Sequence, residues 1–120
     1  DAYAFGKIQA FTSYLCATVH VAHAHGRRGY RWADQQSSYD DMKKKVPETM
    51  AACFELIERE MFEGPWVAGA DFSIADPYLF TISSWLESDG VDPKRFSKVL
   101  DHRNRMAQRP AVQRVLPLHQ

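Results

Sequence analysis

The chain has 120 residues, 15 basic and 15 acidic side chains and no formal net charge, with 45% hydrophobic and 25% charged residues. That length suits one domain and is too short for two ordinary ones, and the apolar content is that of a soluble globular protein rather than a disordered one. Balanced charge without a basic stripe argues against a nucleic-acid surface, and no apolar run approaches the ~20 residues of a membrane-spanning helix.

The apolar spacing is helical throughout, and no stretch alternates strictly enough for a strand. The first helix is predicted from about Ala4 to His25, with Ile8, Phe11, Leu15, Val19 and Ala22 on one face. Its other side carries Ala10, Tyr14, Ala17 and Val21, so this helix is expected to meet another domain or subunit as well as its own core. A polar loop follows over Gly26–Ser38. Its Arg27-Arg28 pair, like Lys43-Lys44-Lys45 further on, stands near Asp40, Asp41 and Glu48 and reads as solvated surface rather than a phosphate site.

The second helix covers about Tyr39 to Phe62, with Val46, Met50, Cys53, Ile57 and Met61 as its stripe. Pro47 predicts a kink there or a helix start near Val46, because proline has no amide hydrogen to donate. Cys16 and Cys53 both lie in apolar patterns and read as buried free thiols of a reducing cytosol. Gly64-Pro65 closes the second helix, and Gly69 sits in the turn beyond it.

Phe72-Ser73-Ile74-Ala75-Asp76 opens the third helix as a capping box, with Ser73 at the N-cap and Asp76 reaching back to its amide. Both residues are therefore read as structural. The helix runs to about Glu87 and is apolar nearly all round, which makes it the buried centre of the domain. Asp92-Pro93 begins a fourth helix with Phe96, Val99, Leu100, Arg103, Met106 and Ala107 on its core face. Arg103 is placed to pair with Asp76 or Asp101. After Arg109-Pro110 comes a short fifth helix with Val112, Val115 and Leu116 inward. The fold class is all-α, a bundle of about five helices around a central buried one.

Gly64-Pro65-Trp66-Val67-Ala68-Gly69, then Phe72-Ser73-Ile74-Ala75-Asp76, Tyr78-Leu79-Phe80, and Arg105-Met106 with Arg109-Pro110-Ala111-Val112, resemble the C-terminal domain of glutathione S-transferases, in the order and spacing of the bacterial, beta-class-like branch. The resemblance runs from the first helix to Leu116. It implies a cytoplasmic homodimer in which an N-terminal thioredoxin-like domain, absent from these residues, binds most of the glutathione and activates its thiol. The sequence opens on Asp1 rather than methionine, and reads as processed, trimmed or part of something longer. The helical domain would supply one wall of the glutathione site, most of the pocket for a small electrophile and much of the dimer interface. No metal is implied. The alternative carried by the same fold is a non-catalytic protein-interaction module.

The resemblance assigns His20 a hydrogen bond to glutathione, although Val21 stands where the branch often has lysine. Ser13 occupies the position of an asparagine that reaches the glutathione of the partner subunit. Seven residues is near two helical turns, so Ser13 and His20 are expected on one face. Trp85 matches a tryptophan common in the branch and, with Tyr14, is assigned to the electrophile pocket. Plain core packing is the rival reading for both aromatics. His20, His23 and His25 suggest a metal site only weakly: two imidazoles share a face, and no carboxylate partner is legible.

Overall fold

The carboxylate of Asp1 accepts the Ala4 amide at 2.8 Å and starts α1, Ala2–Tyr14, two residues earlier than the apolar pattern indicates. In this computed structural model, which describes residues 1–119, the chain runs on through a π turn, Leu15–Val19, into α2, His20–Ala24. The three segments form one helical column. Phe11, Leu15 and Val19 are buried along it, while Tyr3, Phe5 and Val21 stay exposed, as a helix apolar on two sides requires when only one side meets its own core.

The segment expected to be wholly loop contains a 3-10 turn, Gly29–Arg31, and the start of α3, Gln36–Leu56. This helix continues past Pro47 without a break, so the expected start near Val46 is not found. The lost hydrogen bond is outweighed by burial of Val46 on one side of the proline and Met50, Ala51, Cys53 and Phe54 on the other. A second π turn, Ile57–Met61, ends the column.

The loop over residues 62–74 is organised by the start of α4, Ala75–Ser83. The Ser73 amide donates to Asp76 Oδ2 at 2.8 Å, and the Ala75 amide donates to Ser73 Oγ at 3.3 Å. Asp76 does more than close the box. It is fully buried, and its Oδ1 accepts from the Val67 amide at 2.8 Å and from His102 Nε2 at 2.9 Å. One carboxylate thereby ties the loop, α4 and α5 together.

α4 packs on the first column and on α5, Ser97–Ala107. It is not enclosed all round: Pro77, Thr81 and Ser84 are exposed, and the helix ends at Ser83 instead of Glu87. Asp92 accepts from the Lys94 amide at 2.9 Å, but it caps only the 3-10 turn Pro93–Arg95, and α5 begins after Phe96. Arg103 pairs with Glu87 at 2.7 Å and donates to the Ser83 carbonyl, rather than reaching Asp76 or Asp101. The partner of Asp76 is His102, next to Arg103 in sequence and on the same face as Val99 and Met106.

α6, Pro110–Val115, buries none of its residues, and Val115 and Leu116 are 48% and 36% exposed. The expected inward face of this last helix is corrected. Five helical columns remain, and among the described residues there is no β-strand, only an isolated bridge between Trp66 and Gly69.

Candidate functional site

The end of the first column and the segment after it enclose a groove of about 410 Å³, lined by His20, His23, Arg27, Arg28, Trp32 and Trp85. Arg31 and Cys16 complete its polar rim. His20 and Trp85 approach to 5.1 Å between ring centroids. The His23 ring stacks on the Trp85 indole, with centroids 4.1 Å apart and planes 16° apart.

His23 is held from behind. Its Nδ1 donates to Asp89 Oδ2 at 2.6 Å, and the two side chains are 22% and 8% exposed. Asp89 comes from the turn beyond α4, which Gly90 closes at φ +81°. A Cβ on Gly90 would lie 3.1 Å from Pro47 Cγ, so this turn requires glycine for both conformation and space. The carboxylate partner that the histidines lack in sequence thus arrives from 66 residues away. It fixes the orientation of the His23 ring against Trp85. His25 is engaged elsewhere, donating from Nδ1 to the Val21 carbonyl at 2.7 Å and stacking on Trp32 at 3.9 Å. No three metal-binding side chains cluster among the described residues.

Of the four residues singled out for binding, the structure brings His20 and Trp85 together and leaves Ser13 and Tyr14 outside the groove lining. Ser13 is exposed, and the π turn Leu15–Val19 lies between it and His20. A π turn spends an extra residue, so the regular two-turn spacing does not apply across it. Tyr14 packs against the core. Burial pushes its hydroxyl well above the usual tyrosine range, and a hydrogen bond to Cys53 adds to the shift. Burial likewise raises the Cys53 thiol, opposed by the bond from Tyr14.

Cys16 is exposed at the groove, not buried as its apolar surroundings suggested; only Cys53 is inside. Tyr78, beside Cys16, is raised by burial first and then by its contact with that thiol. Arg27 and Arg28 are exposed, in keeping with their reading as solvated surface, and Arg31 is exposed beside them. Lys45 does pair with Glu48 at 2.9 Å, but among the described residues no carboxylate stands at ion-pair distance from Arg27, Arg28 or Arg31. The signal was present in the sequence: three arginines fall within Arg27–Arg31 with no acidic residue among them.

The first column thus presents His20 to a groove walled by Trp85, and Asp76 forms a buried node at the start of α4. Residues 22–116 match the family model described as "Glutathione S-transferase, C-terminal domain". The chain belongs to this family. It is 27% identical over 110 residues to the glutathione S-transferase GstA of Escherichia coli O157:H7, covering 92% of this chain and 51% of that protein. It also superimposes on a crystal structure of a glutathione transferase homolog from Sulfitobacter, which has bound glutathione, with a TM-score of 0.95 and 47% identity over 98% of this chain and 63% of that one. This glutathione S-transferase C-terminal domain therefore spans about half the length of its curated relative. Among the described residues no helix is long and apolar enough to cross a membrane.

Proposed function

We propose that this domain forms the electrophile pocket wall and part of the glutathione site of a two-domain glutathione transferase. The observation that carries the reading is the pairing of His20 with Trp85 in one groove, within a chain that superimposes on a glutathione-bound homolog. A thioredoxin-like domain preceding these residues would bind most of the tripeptide and favour its thiolate. The thiolate attacks an electrophilic carbon, a carbon–sulfur bond forms and the leaving group departs with its electron pair. His20 is exposed on the column and is free to donate a hydrogen bond to glutathione, orienting the tripeptide and offsetting nearby negative charge. Tyr3, Phe5 and Val21, the exposed apolar side of the column, suit the interface of a cytoplasmic homodimer serving detoxification.

The test is glutathione kinetics on the full-length protein with an aryl halide acceptor. His20→Ala is expected to raise the KM for glutathione about tenfold, the worth of one charge-assisted hydrogen bond. An unchanged KM would make His20 structural. If the full-length protein has no glutathione affinity and co-purifies with a different protein in stable stoichiometry, the domain is an interaction module.

A further inference from the structure

Three guanidiniums border the groove with no ion-pair partner among the described residues, in a chain whose total charge is zero. Asp89, which accepts from the groove histidine His23, is nearly buried, and Asp40, which shares a neighbouring pocket with Arg27, is not at ion-pair distance from it. The arginines are not on a loose loop. The Arg28 amide donates to the Ala24 carbonyl at 2.8 Å and the Arg31 amide to the Arg28 carbonyl at 3.0 Å. Gly29 between them is buried, and a Cβ there would sit 3.2 Å from the Tyr39 ring and 3.3 Å from Met42 Cε. The backbone that carries the three side chains is thus fixed by the fold, and their charge stands beside two indoles, Trp85 and Trp32. Aromatic walls select a planar apolar body, and unpaired guanidiniums select a carboxylate or a similar oxyanion at its edge.

We propose that the electrophile taken by this groove is anionic: an aromatic ring bearing a carboxylate, held by Arg27, Arg28 and Arg31 with its ring against Trp85. The proposal rests on the transferase reading for the word electrophile, but the anion site itself does not need catalysis. In the reaction, the glutathione thiolate attacks the ring carbon carrying a halide. The carbon–sulfur bond forms, the carbon–halogen bond breaks, halide leaves with the bonding pair, and the thiol proton goes to solvent. The acceptor's carboxylate takes no part in bond making.

Two measurements separate the layers. On the 120-residue chain, quenching of tryptophan fluorescence compares 3,5-dinitrobenzoate with its methyl ester, which share a ring and differ in charge. The carboxylate is expected to bind about tenfold more tightly at low salt, the sum of a few partly exposed ion pairs, with the gap shrinking as salt rises. Replacing all three arginines, R27Q/R28Q/R31Q, should bring the ratio close to one, whereas R27K/R28K/R31K should keep most of it. Equal binding of acid and ester by the unmodified chain overturns the proposal, and so does a preference that survives the glutamine variant.

On the full-length protein, 4-chloro-3,5-dinitrobenzoate is compared with its methyl ester, each rate divided by its uncatalysed reaction with glutathione. The acid is expected to show the lower KM. If the glutamine variant raises the KM for glutathione and leaves the acid-to-ester ratio intact, the arginines hold the carboxylates of the tripeptide and the proposal fails. If neither acceptor is turned over while the binding preference stands, the transferase reading fails and the anion site remains.

Discussion

Two histidine–aspartate pairs, one built on the first turn of α4 and one on the turn beyond its end, do different work. His102 and Asp76 meet at 2.9 Å with both side chains wholly buried. His23 and Asp89 meet at 2.6 Å at the edge of a groove, with the imidazole 22% exposed. In the first pair the carboxylate spends its remaining capacity on the amides of Val67 and Ser73, so everything it offers is consumed inside the fold. In the second the nearly buried carboxylate accepts only from the ring, which is stacked on Trp85 and presented to the groove. The same bond is a rivet where it is enclosed by backbone donors, and a positioning device where one partner faces solvent.

The largest effect should come from the rivet. Asp76→Ala removes an acceptor from two backbone amides and His102 at once, and is expected to destabilise the chain by about 3–5 kcal/mol in urea unfolding. A loss below about 1 kcal/mol would show that water replaces the carboxylate and that the node is not what holds the loop. Next comes Gly90→Ala, which attacks the second pair through its backbone. A side chain at positive φ costs about 1–2 kcal/mol, and Asp89, one residue earlier, would be displaced from His23. The measurable signs are a lower urea midpoint and altered Trp85 fluorescence. Stability loss without a spectral change would mean the stack survives without its carboxylate.

Smaller effects sharpen the contrast with exposed groups. The hydrogen bond from Arg103 holds the Glu87 carboxyl below its ordinary value of 4.5. A depressed carboxylate contributes stability above its unfolded pKa and loses it as pH falls through the folded one. Glu87→Gln should therefore cost a few tenths of a kcal/mol near neutrality, since the pair is largely solvent-screened, and the gap to the unmodified chain should close in acid. A gap that persists at low pH would assign the effect to packing. His20→Ala should be the smallest of all in stability, within about 0.5 kcal/mol as for other exposed sites, even where it raises the KM for glutathione. A clear loss of stability would move His20 from the groove into the framework.

Much of the framework was legible along the chain because it depends on neighbours close in sequence. Ser73 and Asp76 are three residues apart, Asp92 caps the residues right after it, and the stripe of Val46, Met50, Cys53 and Ile57 is a local period. His20 and Trp85 were singled out through motif position, and the fold sets their rings 5.1 Å apart. Errors arose where a residue's environment comes from elsewhere. Cys16 carries the same apolar flanks as Cys53, yet one faces the groove and the other the core. Arg103 was read onto the core face that His102 occupies, one residue away and about 100° round the helix.

From the sequence alone came the all-α class, the five columns and the family, because helical periodicity and capping are written in contacts of three or four residues, and the motifs in a fixed order. Only the tertiary structure decided which carboxylate meets which histidine, that α6 lies on the surface, and that Arg27, Arg28 and Arg31 stand unpaired beside Trp85. Those facts depend on residues tens of positions apart being brought within a few ångströms, and no local pattern encodes that distance.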